Sequence, residues 1–190
     1  ASGALTGGFD KQEQREVLAK PAELQLFEDA PANWEAWDVD IFYQNQLRET
    51  LKPTACEAFG GPLRQGLSLV YRFGKSTLRQ QVALARGSKR LDFVTEADWR
   101  ERRRMLRAAF FTGLVNGSAR FDIQFGTLER PSHRNTSWDR ARFEAAAHRF
   151  ADVSFGGWGV AVLNDCKYGY KVLNGEISLA LLRSPVHPDP

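Results

Sequence analysis

Three short stretches of this sequence crowd large aromatic rings against planar polar side chains. They are Asn33-Trp34-Glu35-Ala36-Trp37-Asp38, His133-Arg134-Asn135-Thr136-Ser137-Trp138-Asp139 and Asn164-Asp165-Cys166-Lys167-Tyr168-Gly169-Tyr170. Aromatic faces cover the apolar side of a pyranose, and Asp, Asn and Arg can bond two neighbouring hydroxyls at once. Any one stretch alone reads better as a loop packed by its own tryptophan. Three of them in one small chain point to a polyol-binding face.

Other chemistries find less support. The three histidines, His133, His148 and His187, share no HxxxH or HxH spacing, and no CxxC occurs, so no metal ligands are nominated. There is no GxSxG elbow, P-loop or GxGxxG, and Cys166 has no histidine near it in sequence. With 23 acidic residues, spacing cannot single out a glycosidase carboxylate pair. Five arginines between Arg100 and Arg107, beside Trp99, could track phosphates. The interleaved Glu96, Asp98 and Glu101 cancel part of that field, so a solvated face is the preferred reading and no nucleic-acid partner is expected.

The elements that must carry these stretches are short and β-rich. Apolar and polar residues alternate over Glu23 to Phe27, Leu67 to Phe73, Arg120 to Phe125 and Glu176 to Leu182. Thr77 to Leu84 and Trp158 to Leu163 are read as further strands. Gly156-Gly157 and Asn174-Gly175 supply turn signals. Together they predict an all-β antiparallel sandwich. Glu96 to Ala109 and Ser137 to Phe150 are richer in helix formers, the second with a cap at Ser137. The chain of 190 residues, 43% hydrophobic and with a net charge of +3, fits one domain, residues 1–190. No apolar run suits a membrane span, so no membrane is expected. The small, polar first residues do not read as a signal peptide, and without an initiator Met the chain is read as starting inside a longer polypeptide. Cys56 and Cys166 make no disulfide scaffold and are read as reduced thiols of a cytoplasmic protein.

The same three stretches carry a family likeness. Residues 26–31 (Leu-Phe-Glu-Asp-Ala-Pro) lead into Trp34–Asp38. Then follow Arg90-Leu91-Asp92-Phe93 with Asp98-Trp99, Phe121-Asp122-Ile123-Gln124-Phe125-Gly126, and Arg130-Pro131 running into the second stretch. Phe143-Glu144, the third stretch led by Leu163, and Leu181-Leu182-Arg183-Ser184-Pro185 with Pro188-Asp189-Pro190 complete the set. In this order, over nearly the whole chain, they resemble glycoside hydrolase family 38 α-mannosidases of the cytosolic, vacuolar and bacterial branch. The RPxHRNTSWD-like and LNDCKYGY-like blocks are the most specific.

That resemblance implies the large β-sandwich behind the catalytic domain, a supersandwich of galactose-mutarotase type, incomplete at its C-terminus if relatives continue. It also implies that Glu96 to Ala109 and Ser137 to Phe150 are mostly extended. The family removes α-linked mannose with retention, using a carboxylate nucleophile and a second carboxyl as acid and base. A divalent metal, expected as Zn²⁺, binds sugar hydroxyls. Nucleophile and metal ligands belong to an N-terminal catalytic domain of the same polypeptide, so no catalytic residue, metal ligand or cofactor is assigned to this chain, which is expected to be inactive alone. Its expected partners are that domain and a mannose-containing oligosaccharide, with a homo-oligomer possible through an unpaired sheet edge. Arg183 matches an arginine that reaches substrate, with an ion pair to Asp189 or Asp165 as the structural alternative. Trp34, Trp37 and Asp38 fall where relatives send an aromatic residue, and Asn164, Asp165, Lys167 and Tyr168 form the neighbouring loop. For at least one tryptophan the competing role is packing in the core or between domains. A free-standing carbohydrate-binding sandwich is the rival reading.

Overall fold

The computed structural model describes residues 3–186. Its strands in chain order are β1 (Phe9–Asp10), β2 (Arg15–Glu16), β3 (Lys20–Glu28), β4 (Leu47–Thr50), β5 (Ala55–Gly60), β6 (Arg64–Phe73), β7 (Ser76–Ala85), β8 (Leu91–Asp98), β9 (Arg104–Phe111), β10 (Ser118–Ile123), β11 (Gly126–Pro131), β12 (Ala145–Ala146), β13 (Phe150–Phe155), β14 (Trp158–Leu163), β15 (Gly169–Leu173) and β16 (Glu176–Arg183). One short helix, α1 (Ser137–Ala141), and a 3-10 turn, Ile41–Asn45, are added. All ladders are antiparallel, and the order in the largest sheet is β12-β15-β16-β9-β3-β4. Two four-stranded sheets, β5-β6-β7-β8 and β11-β10-β13-β14, accompany it. The expected all-β sandwich is the observed fold.

Register explains the layering. Directly paired residues point to one face. The pairs Leu24–Ala108, Leu26–Leu106, Ala108–Leu179 and Phe110–Ile177 therefore place an apolar stripe on a single face of the six-stranded sheet. Leu24, Leu26 and Leu106 pack with Leu69, Tyr71, Phe73 and Leu78 of the β5–β8 sheet. Ile177, Leu179 and Tyr170 pack with Phe121, Ala151 and Val153 of the other. The two smaller sheets thus sit side by side on one face.

The opposite face carries the buried polar residues Gln25, Arg107, Lys171 and Ser178, beside buried Phe27, Met105 and Ala109. Two irregular segments cover it. Tyr43 of the 3-10 turn stacks edge-on against Phe27, 5.2 Å between centroids. The segment 132–144 crosses the sheet, tied by Arg134 to Gln44 at 2.6 Å and by Glu144 to Arg107 at 3.1 Å. Hairpin turns fall where glycine predicted them. Gly156 and Gly157 both have positive φ between Phe155 and Trp158, as do Asn174 and Gly175 between Leu173 and Glu176.

Two expectations need correction. Ser137 to Phe150 is not mostly extended, because α1 occupies its first turn. The cap is Thr136 rather than Ser137: Thr136 accepts from the Asp139 N–H at 3.2 Å and Asp139 bonds back to the Thr136 N–H at 3.1 Å. This reciprocal box stabilises even a five-residue helix. Nor do the arginines from 100 to 107 share a solvated face. Glu96 to Ala109 is extended but broken at 99–103, and Arg107 is buried at 1% exposure.

Candidate functional site

Antiparallel pairing brings the C-terminal ends of β3 and β16 and the N-terminal ends of β9 and β15 to one end of the six-stranded sheet. The 29–38, 99–103, 164–168 and 184–186 segments therefore emerge together. Every residue nominated as sugar-binding, Trp34, Trp37, Asp38, Asn164, Asp165, Lys167, Tyr168 and Arg183, lies at this end. The 133–139 stretch does not; it lies on the covered face opposite the apolar stripe.

Arg183 is the node of the first loop. Its Nε donates to Asp29 Oδ2, one Nη donates to Asp29 Oδ1 at 3.2 Å, and the same Nη donates to the Asp38 carbonyl. Asp29 is 1% exposed. The Arg183 alternative thus has a different acid from those expected: Asp29 takes the place of Asp165, and Asp189 lies outside the described residues. Arg103, in the left-handed region at φ 52, fixes the other flank. Its N–H donates to the Ser184 carbonyl at 2.8 Å, its carbonyl accepts from Asp29 N–H at 2.9 Å, and its guanidinium pairs with Glu35 at 2.7 Å. Glu35 also accepts from the Val186 N–H at 3.0 Å.

This frame turns the tryptophans outward. Trp34 sits at φ 59, and its carbonyl accepts from the N–H groups of Trp37 and Asp38, both at 2.9 Å. The two indoles stack on one another at 6.0 Å and 29° and are 61% and 72% exposed. Neither packs in the core. Asp38 is exposed and caps its own turn, accepting from Val39 N–H at 2.8 Å.

The second loop is organised from within. Asn164 Oδ1 accepts from the N–H groups of Cys166 and Lys167, and Asn164 Nδ2 donates to the His148 carbonyl at 3.2 Å and to the Tyr170 hydroxyl. The Arg149 carbonyl receives the Asn164 N–H at 2.8 Å. Hydrogen bonds from Arg149 hold Asp122 below the usual carboxylate range. Asp165 and Tyr168 remain exposed, and His148 meets Tyr168 edge-on at 6.0 Å. The Cys166 thiol is pushed up, first by its hydrogen bond with Asp165, which argues against an activated thiolate.

Sequence reasoning missed the buried group beneath the 3-10 turn. Arg107 donates from Nε to Ser178 Oγ at 2.8 Å and from Nη1 to Glu144, and its guanidinium lies 5.6 Å from the Tyr43 ring. Tyr43 donates to the other Glu144 oxygen, and burial raises its phenol well above the ordinary value. The signal available was Arg107 alternating with Leu106 and Ala108 on a strand. As for metals, no three His, Cys, Asp or Glu side chains converge among the described residues.

Comparison with known proteins decides the family. The model of the glycosyl hydrolases family 38 C-terminal domain matches residues 1–190. This chain belongs to that family. It is 39% identical to α-mannosidase G of Dictyostelium discoideum over 198 residues and 40% identical to human α-mannosidase 2C1 over 194. These alignments cover 100% and 99% of the chain but only 18% and 19% of the relatives' length. A Saccharomyces cerevisiae α-mannosidase is 34% identical over 86% of the chain. Among solved structures, an α-mannosidase from Enterococcus faecalis V583 superposes with a TM-score of 0.79 over 97% of this chain and 24% of its own, at 16% identity. A second family 38 structure from Enterococcus faecalis gives 0.75 over 93% of this chain and 24% of its own. This structural likeness concerns the family 38 sandwich fold.

Proposed function

We propose that this chain is the β-sandwich part of a retaining α-mannosidase and supplies one wall of its carbohydrate site, with the bond-breaking groups in another domain of the same polypeptide. The observation that carries this reading is 40% identity to an α-mannosidase along 99% of the chain. The geometry supports the wall. The Trp34 and Trp37 rings offer apolar faces for a pyranose, and Arg183 is held rigid while its Nη1 donors are left unengaged by Asp29 and Asp38. Asp38, Asp165, Lys167 and Tyr168 border the same end of the sheet, and the Asn164 amide is given over to shaping its loop. The retaining chemistry needs a carboxylate nucleophile and an acid/base carboxyl close to the scissile bond. In this reading both groups, and the Zn²⁺ that would hold sugar hydroxyls, belong to the catalytic domain. Free Cys56 and Cys166 agree with a reducing, cytoplasmic setting. Among the described residues no helix is long and apolar enough to cross a membrane.

The test is turnover of an aryl α-mannoside with Zn²⁺ present. The isolated chain is expected to give none and the longer polypeptide to give turnover. Turnover by the isolated chain that disappears on replacing one of its acids would overturn the reading. Saturable mannose binding by the isolated chain, with no turnover by the longer polypeptide, would favour a carbohydrate-binding module, the role the exposed tryptophan pair would then serve.

A further inference from the structure

We infer that the two four-stranded sheets are parts of one longer sheet, and that an extended strand from elsewhere in the longer polypeptide fills the slot between β8 and β14. Both strands are edges among the described residues, since β8 pairs with β7 and β14 with β13. Both approach β9. Phe93 of β8 meets Phe110 of β9 at 5.6 Å. On the other side β13 packs against β16, the neighbour of β9, and β14 is the next strand out.

The two edges also run the same way. Asp10 Oδ2 lies 3.2 Å from Lys89 Nζ, just before β8, and 3.4 Å from Trp158 Nε1, at the start of β14. From this shared origin β8 runs into the 99–103 segment and β14 into the 164–168 loop. The slot therefore leads from the N-terminal hairpin to the proposed sugar wall.

The apolar face along the slot is only partly covered. On the apolar face of β9 Leu106 is fully buried, but Ala108 and Phe110 beyond it are only half-buried, whereas Arg107 and Ala109 on the opposite face are buried. Leu181 and Leu182 of β16 are half-buried on that apolar face too. On β8 the inward-pointing Leu91 and Phe93 are 37% and 39% exposed. Trp158, Val160 and Val162 on β14 are half-buried. An apolar floor between two unpaired ladders fits an extended backbone, whose N–H and C=O groups pair with both edges and whose alternate side chains cover the floor.

Relatives of which this chain spans 18–19% have ample further polypeptide to provide such a strand. Its inward positions are expected to be apolar. Its outward positions, beside Glu96 on β8, favour Lys or Arg. The inference shares with the proposed function only the premise that the chain is part of a longer polypeptide.

Amide hydrogen exchange on the longer polypeptide and on this chain alone, at matched concentration, tests it. Alternate amides of β8 and β14, those not bonded to β7 or β13, should exchange on the order of 100-fold more slowly in the longer polypeptide. The substitution Phe93→Lys in that polypeptide should erase the difference at both edges while the β6–β7 ladder stays protected. Equal exchange in the two forms would overturn the inference, as would edge protection in the isolated chain that rises with its concentration, which would make a second copy the occupant. The aryl mannoside assay is read separately. Turnover without edge protection overturns only the slot, and edge protection without turnover overturns only the assigned activity.

Discussion

The 34–38 loop and the 164–168 loop look alike in sequence, each mixing aromatic, acidic and amide side chains, yet they are held in opposite ways. The first is braced from outside, by Arg183 on Asp29 and by Arg103 on Glu35. Its two indoles stack on each other and stand largely exposed. The second is braced from inside by one amide, Asn164, which ties Cys166, Lys167, His148 and Tyr170 together. Composition identifies polar-aromatic loops; only the bonding separates side chains that hold a loop from those that face solvent.

Three substitutions sharpen this contrast. The largest effect is expected from Asp29→Ala, which leaves the Arg183 guanidinium without its buried acid. Removing one partner of such a pair costs about 3 kcal/mol, lowering Tm by roughly 10 °C for a chain of this size. An unchanged Tm would mean that Arg183 does not brace the first loop. Next is Asn164→Ala, which removes bonds to four partners and should cost about 2 kcal/mol. Amides of 166–168 should lose protection while those of 34–38 keep it; loss in both loops would merge the two. The smallest effect on stability belongs to Trp37→Ala, under about 0.5 kcal/mol for an exposed side chain. In the longer polypeptide the same change should raise KM for a mannoside several-fold, and an unchanged KM would take the tryptophan out of the wall.

Much of the fold was legible because strand periodicity and turn chemistry agree. The alternation over Glu23 to Phe27 lies inside β3, and Asn174-Gly175 makes the tight hairpin its dipeptide favours. Thr136 escaped notice as a cap because its role depends on the reciprocal bond with Asp139, which a first-turn scan centred on Ser137 overlooks. Arg107 was grouped with its neighbours by charge. Its burial depends on Glu144, 37 residues away, and on the 3-10 turn that closes over it. The gathering of the nominated loops at one end was not readable from sequence, since it follows from strand order. The Asp29–Arg183 pair spans 154 residues, and nothing local distinguishes Asp29 from other acids.

β16 carries one residue more than β9 needs. Between Ala180, opposite Arg107, and Leu182, opposite Leu106, Leu181 has no partner of its own. Strand side chains alternate, so this surplus residue reverses odd and even for everything after it. Leu182 consequently joins the apolar face, and Arg183 lands opposite Met105, on the side where Asp29 waits. Deleting one residue here would leave the composition almost untouched, yet turn the guanidinium towards the hydrocarbon and a leucine towards the acid. The arginine's address is thus set by parity, a count of residues, as much as by its chemistry.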